Sequence, residues 1–271
     1  MHVTWNLLAR SSPPDCNFLW WGLLGHVVLI GPWSVVVLWH EALWSWQLVG
    51  LMTLTSCALS AYFLALAQAY RHAPVAVVYP ISRGLPVLAI AALSVVLTRE
   101  ELSLLGWIGM LVGVAGLGLI AVAGRRGHAG AALPWVLLAA AGTTTYSLSD
   151  KIAVTALPGL IVPLGYVTVV YAVALLALTG LNIQRHGRVM PACRPHSTAW
   201  LVASLCIGTS YALVIAAMRY IPAAYAVAFT NAGILVAVVL SMTWQGERRH
   251  WQLNAAGVGI AVLGLVLVAM A

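Results

Sequence analysis

The chain has 271 residues, of which 62% are hydrophobic and 7% charged, against about 25% charged in soluble domains; its mean hydropathy is +0.98. Even large soluble domains keep a water-facing shell, so this composition excludes a soluble globular protein and predicts an integral membrane protein whose solvent is lipid. The net charge of +7 comes from arginines placed singly or in pairs between apolar runs, which reads as loop charge facing headgroups and not as a basic patch for nucleic acid.

In chain order, Met1–Arg10 is apolar but too short to span, and it lacks the basic start and apolar core of a signal peptide. It is either a stub lying on the surface or the second half of a span. Nine apolar runs of spanning length follow: Phe18–Trp39, Trp46–Ala69, Pro74–Leu97, Leu104–Ala123, Ala131–Lys151, Leu160–Leu181, Thr198–Ala217, Pro222–Trp244 and Trp251–Ala271. They are about twice the length of a barrel strand and lack in/out alternation, so each is predicted as a helix. Pro74, Pro158 and Pro222 sit at or just before span starts, where a missing N–H costs little. Trp39, Trp44, Trp46, Trp107, Trp135, Trp200, Trp244 and Trp251 lie near span ends, as an aromatic belt does. The longest polar stretch, Asn182–His196, reads as a loop. Cys16, Cys57, Cys193 and Cys206 show no C-x-x-C pair or ligand spacing, and are expected to be small buried hydrophobes.

The chain repeats itself. Shifted by 148 residues, Ala69-Tyr70-Arg71-His72-Ala73-Pro74 falls on Ala217-Met218-Arg219-Tyr220-Ile221-Pro222, Gly109 on Gly257, and Gly116 on Gly264. A shift of 141 places Trp5-Asn6-Leu7 on Tyr146-Ser147-Leu148 and Arg10 on Lys151. The stub therefore corresponds to the end of the sixth span. We read two five-helix repeats, residues 1–126 and 127–271, or about ten transmembrane helices, with helix one N-terminally truncated and its first half expected upstream of Met1. An odd number of helices per repeat makes the copies inverted in the membrane, the arrangement alternating-access carriers use.

The sharpest candidate site residue is Arg83, about ten residues into its span and so roughly 15 Å deep. An arginine there costs at least about 2.5 kcal/mol unless it faces a cavity or partner. Around it, Tyr79-Pro80-Ile81-Ser82-Arg83-Gly84-Leu85-Pro86 carries two prolines and a glycine, which predicts a kinked helix with freed carbonyls. Arg83 either holds an anionic group by bidentate hydrogen bonds or pairs structurally with an acid or carbonyls. Its repeat counterpart is Asn231, which either faces the same space or makes an interhelical hydrogen bond. Asp150 is the acid of the later half placed within a span. It is read as a partner for Arg83, a coupling group that takes up a proton, or a helix-end residue at the surface. Lys151 is expected to snorkel to the surface. Trp5, Asn6, Tyr79, Tyr146, Ser147 and Tyr225 are candidate cavity-lining residues. His26 is read as interhelical glue or a proton relay. Arg99/Glu100 and Glu247/Arg248 are expected to be solvated at helix junctions. Gly109-x-x-x-Gly113 is a small-residue packing face, used within one chain or between two copies of a homodimer.

Several of these pieces together resemble the drug/metabolite transporter superfamily, EamA type. They are Trp5–Arg10, Ala73–Gly84, Pro86-Val87, Arg99-Glu100-Glu101-Leu102-Ser103 before a glycine-rich span, Tyr146–Lys151 and Gly246-Glu247-Arg248. The resemblance covers essentially the whole chain. It implies a ten-helix permease in the cell inner membrane, exporting or exchanging a small metabolite through a cavity lined by both repeats. It also implies both termini in the cytoplasm. The arginine count points the other way, placing nine cationic loop residues against three on the side the resemblance makes external, and favours a periplasmic C-terminus. The alternative functions are a membrane-embedded enzyme and a helical scaffold. His40-Glu41-Ala42-Leu43-Trp44 begins like a zinc-helix motif but lacks the second histidine, and there is no ATP-binding P-loop. Neither metal, cofactor nor catalytic residues are expected; the expected partners are the bilayer, a small solute and a coupling ion left open.

Overall fold

The computed structural model describes residues 17–124, 130–244 and 251–271. Its helices are α1 Phe18–Leu29, α2 Gly31–Glu41, α3 Trp46–His72, α4 Val75–Leu97, α5 Leu104–Ala123, α6 Leu133–Ala153, α7 Ile161–His186, α8 Ser197–Ala217, α9 Ala223–Thr230, α10 Ala232–Trp244 and α11 Trp251–Ala269. No strand occurs among the described residues. Six helices, α3, α4, α5, α7, α8 and α11, are long and apolar enough to cross a membrane. The pair α1 and α2, bent by 61°, makes a seventh if it is one span. Large apolar side chains such as Val96 and Leu176 stay more than two-thirds exposed, a surface compatible with lipid and costly in water.

All nine apolar runs are helical, but two expected spans are each split. Phe18–Trp39 divides at Ile30, where Gly31-Pro32 follows: Pro32 has no N–H to continue the ladder and sits in the first turn of α2. Pro222–Trp244 divides at Asn231, which caps α9. By contrast α4 continues as one helix through Pro80 and Pro86.

The chain forms two compact units. Residues 1–64 and 149–220 make the first; residues 65–148 and 221–271 make the second. Each draws on both sequence repeats, so the spatial partition differs from the division at residue 126.

In the first unit α2 lies on α7 at small residues. A Cβ on Gly31 would come 3.1 Å from Thr168 Cγ2, and one on Gly165 would sit 2.7 Å from Leu38 Cβ. α1 packs on α8, where a Cβ on Gly25 would meet Ser204 Cβ at 2.7 Å. Tryptophans tie the ends: Trp20 Nε1 donates to Thr179 Oγ1 (2.8 Å), Trp21 Nε1 to the Cys193 carbonyl (2.9 Å) and Trp200 Nε1 to the Trp21 carbonyl (2.9 Å). Two cations close helix ends. Lys151 Nζ donates to the Met218 carbonyl at 2.6 Å, and Arg219 donates to the carbonyls of Leu157, Val154 and Gly159, where the dipole favours positive charge.

In the second unit α5 and α11 cross antiparallel on glycine. A Cβ on Gly109 would lie 2.9 Å from the Gly264 carbonyl, and one on Gly116 would lie 2.6 Å from the Gly257 carbonyl. The glycine face read from the sequence is therefore buried within the chain. The contact exchanges repeat counterparts: Gly109 meets the counterpart of Gly116, and Gly116 meets the counterpart of Gly109. Beside it Leu117, Ile120, Ile234, Leu235 and Ala261 form a buried apolar cluster.

Glu100 corrects an expectation. It is not a freely solvated junction residue: Arg99 takes a left-handed backbone (φ 53°) after α4, and both Glu100 carboxylate oxygens accept the Ala223 N–H at 3.1 Å. Pro222, the N-cap of α9, supplies no side-chain cap, so the carboxylate does so from a distant residue.

The cysteines also depart from expectation. Cys57 is exposed and Cys206 half-buried, both free, whereas Cys193 is disulfide-bonded. Cys16, with Glu247 and Arg248, lies outside the described residues.

Candidate functional site

Two polar centres stand out, one in each unit. In the second unit, α4 carries Tyr79 and Arg83 one turn apart. The Arg83 guanidinium lies over the Tyr79 ring at 5.5 Å, a cation–π contact that steadies a charge away from water. Tyr79 itself packs on the apolar cluster of α5, α10 and α11. Pro86 has no N–H for the Ser82 carbonyl one turn back, so that carbonyl loses its regular helical donor next to Arg83. Ser82 Oγ donates to the Tyr79 carbonyl at 3.0 Å.

Asn231 sits in the break between α9 and α10, and its Nδ2 donates to the Arg83 carbonyl at 3.4 Å. The two counterpart positions of the repeat thus touch. Asn231 is buried, and its Oδ1 has no hydrogen-bond partner. It borders a cavity of about 20 Å³ shared with Val87, Gly109, Gly113 and Gly264, room for about one water molecule. Three further buried hydroxyls of this unit lack partners: Thr143, Ser147 and Tyr225. Each unmade bond of this kind costs about 1–3 kcal/mol, so the second unit carries donors and acceptors that its own fold leaves unused. Tyr225 also lines an open depression of about 660 Å³ with Glu101, Ser103, Pro222 and Phe229. Tyr146 is buried on α6 in the same unit.

In the first unit the centre is Asp150, with no exposed surface. Its Oδ1 accepts from Thr55 Oγ1 and from Tyr166 Oη, each at 2.9 Å; Tyr166 Oη also lies 3.0 Å from Thr55 Oγ1. Its Oδ2 accepts from Tyr211 Oη. The carboxyl is therefore caged by three hydroxyls from α3, α7 and α8. This replaces both the helix-end reading and the expected pairing with a guanidinium: no cation bonds Asp150 among the described residues. Tyr211 stacks on Tyr171 (6.0 Å between centroids), and His26 meets Tyr171 edge-on at 5.5 Å. His26 is fully buried, 3.1 Å from Thr168 Oγ1 and 3.3 Å from the Ser204 carbonyl; Thr168 Oγ1 also lies 3.1 Å from Ser34 Oγ. That is the interhelical glue read from the sequence.

Of the candidate residues, then, Arg83, Tyr79 and Asn231 come together, and Asp150 forms a separate centre. Trp5 and Asn6 lie outside the described residues. The sequence reading missed Thr55, Tyr166 and Tyr211. Their one signal was a polar side chain well inside an apolar run, a marker shared with many residues that merely pack.

No family model matches the chain, and no curated protein matches it. Solved structures do. One, described only as "Crystal structure of protein", superimposes with a TM-score of 0.73 at 17% identity, covering 99% of this chain and 93% of that one. At that identity the likeness establishes a shared fold.

Proposed function

We propose that the protein is a secondary transporter of the drug/metabolite, EamA type. It carries a small anionic metabolite by alternating access between two inverted repeats in a cell inner membrane. The observation that carries this reading is the meeting of Arg83 and Asn231. A guanidinium deep in a proline-bearing span is costly unless it serves a solute or a fixed partner. Here the guanidinium lies over the Tyr79 ring, and the backbone carbonyl of the same residue accepts from Asn231, which sits at a helix break and keeps a buried amide oxygen that the fold leaves unbonded. Broken spans at mid-membrane are where carriers bind substrates. Arg83 supplies the planar fork for a carboxylate or phosphate, and Asn231 and Tyr79 orient the rest of the solute.

The exchanged glycine contacts of α5 and α11 support the inverted repeat. A two-fold axis in the membrane plane produces an antiparallel, self-complementary contact of this kind. It also lets a residue near the axis, such as Arg83, touch its own counterpart. For orientation, Cys193 favours the resemblance over the arginine count: disulfides persist in oxidising compartments, so the 187–196 loop belongs outside the cytoplasm and the C-terminus inside.

A ligand screen tests the site without needing transport. Purified protein is heated in detergent with a panel of carboxylates, phosphates, amines and neutral sugars. The expected result is a rise in melting temperature with one anionic class, absent in Arg83→Ala and partly restored in Arg83→Lys. Equal stabilisation of wild type and Arg83→Ala removes Arg83 from the site.

A further inference from the structure

We infer that the Asp150 cage is a proton-binding site, separate from the solute site at Arg83, and that it couples solute movement to proton movement; this coupling role rests on the transporter reading above. The inference starts from what the cage contains. A carboxylate held for structure inside a membrane bundle is ordinarily matched to a cation, which locks it ionised. Here both nearby cations are committed to carbonyls: Lys151, adjacent in sequence, to Met218, and Arg219 to the end of the α6 segment. The titratable groups that face Asp150 are Tyr166 from α7 and Tyr211 from α8; Thr55 from α3 is not titratable. Behind Tyr211 stand Tyr171 and then His26.

Hydroxyls suit a group that must hold two states. Each is at once a donor and an acceptor. With Asp150 ionised, Thr55, Tyr166 and Tyr211 donate to its oxygens. When a proton arrives it bonds to Oδ2, and the new O–H donates to Tyr211 Oη, whose own proton rotates to another acceptor. No hydrogen bond of the cage is lost, and one positive charge has been gained. An arginine or lysine in the place of any of the three could not make that exchange, since neither has an acceptor.

The cage also has the position a coupling site needs. Asp150 lies three residues from the end of α6, Tyr166 five residues into α7, Tyr211 six from the end of α8 and Thr55 nine into α3, so the cage lies roughly 5–14 Å inside the helix ends at ~1.5 Å per residue. Asp150, Thr55 and Tyr166 are sealed, while Tyr211 is only partly buried. Tyr211 is thus the member of the cage through which a proton enters and leaves. The arrangement joins three helices, α3, α7 and α8, to one end of α6, so a change in Asp150's charge is felt by four segments at once.

The test uses the full-length protein reconstituted in proteoliposomes and needs no solute for its first arm. Infrared difference spectra are taken between alkaline and acidic buffer. On acidification a carboxylic acid component is expected in wild type that is missing from Asp150→Asn, above the bands that the other five Asp and Glu residues give in both; in Tyr211→Phe that component is expected to shift, because its hydrogen-bond partner is gone. Spectra of wild type and Asp150→Asn that coincide overturn the proton site outright, whatever transport does. The second arm compares counterflow with pH-gradient-driven accumulation of labelled amino acids, dicarboxylates and sugar phosphates. Asp150→Asn is expected to keep counterflow and lose accumulation. Accumulation unchanged in Asp150→Asn overturns the coupling role, and no counterflow of any probe by wild type overturns the transporter reading while the infrared result stands by itself. Asp150→Glu, which retains the acid, is expected to recover that component and so separates loss of the proton site from loss of the fold.

Discussion

The two units bury polar groups under the same lipid-like constraint and treat them in opposite ways. In the first, Asp150, Thr55, Tyr166, His26, Thr168 and Ser34 are joined into hydrogen-bonded sets. In the second, Thr143, Ser147, Tyr225 and Asn231 each keep a buried atom with no partner. A closed set stiffens the helices that share it. An open set weakens its own unit, and such a cost is ordinarily tolerated where function needs the groups. Under the transporter reading proposed above, the closed set stores a proton and the open one recognises a solute.

The largest expected effect tests the packing beneath the open set. Gly116→Leu drives a side chain into the backbone of α11, where a Cβ already lies 2.5 Å from the Ala261 N. It is expected to cost at least about 1–3 kcal/mol and to remove most folded protein in fluorescence size-exclusion chromatography. Gly118→Leu, with nothing within 4 Å, is expected to leave the elution profile unchanged.

Next comes the contrast itself. Thr55→Val strips a donor from a buried carboxyl and is expected to lower stability by about 1–3 kcal/mol, read as a fall in melting temperature in detergent. Ser147→Ala removes an oxygen that bonds nothing and is expected to be neutral or stabilising. If the two variants lose equal stability, the division into closed and open sets fails. The smallest effect is at the α9 cap: Glu100→Gln keeps an acceptor but loses the charge at a helix N-terminus, for an expected loss of about 0.3–1 kcal/mol.

Much of the fold was legible because membrane helices announce themselves. Long apolar runs with tryptophan and proline at their ends gave all nine segments, most bounds falling within a few residues. The breaks were harder. Gly31-Pro32 carried a visible signal, whereas α9 and α10 part at Thr230-Asn231, where no proline or glycine precedes the break. The prolines of α4, read as the mark of a kink, interrupt nothing, and the helical run continues through both. At the site, Arg83 and Asn231 were legible because the repeat aligned them. The Asp150 cage was not, because Thr55, Tyr166 and Tyr211 lie far apart in sequence and only packing brings their hydroxyls to one point. Glu100 was missed for the same reason: its partner N–H belongs to residue 223.

On the function proposed above, Arg83 binds a solute that this protein moves. Counterflow in proteoliposomes measures that most directly, with labelled dicarboxylates and sugar phosphates outside and the same unlabelled compound within. Wild type is expected to concentrate one such anion transiently, Arg83→Lys to do so more weakly, and Arg83→Ala to lose the overshoot by about 10–100-fold, the worth of a charged hydrogen-bonding pair. An Arg83→Ala overshoot equal to wild type's would contradict it.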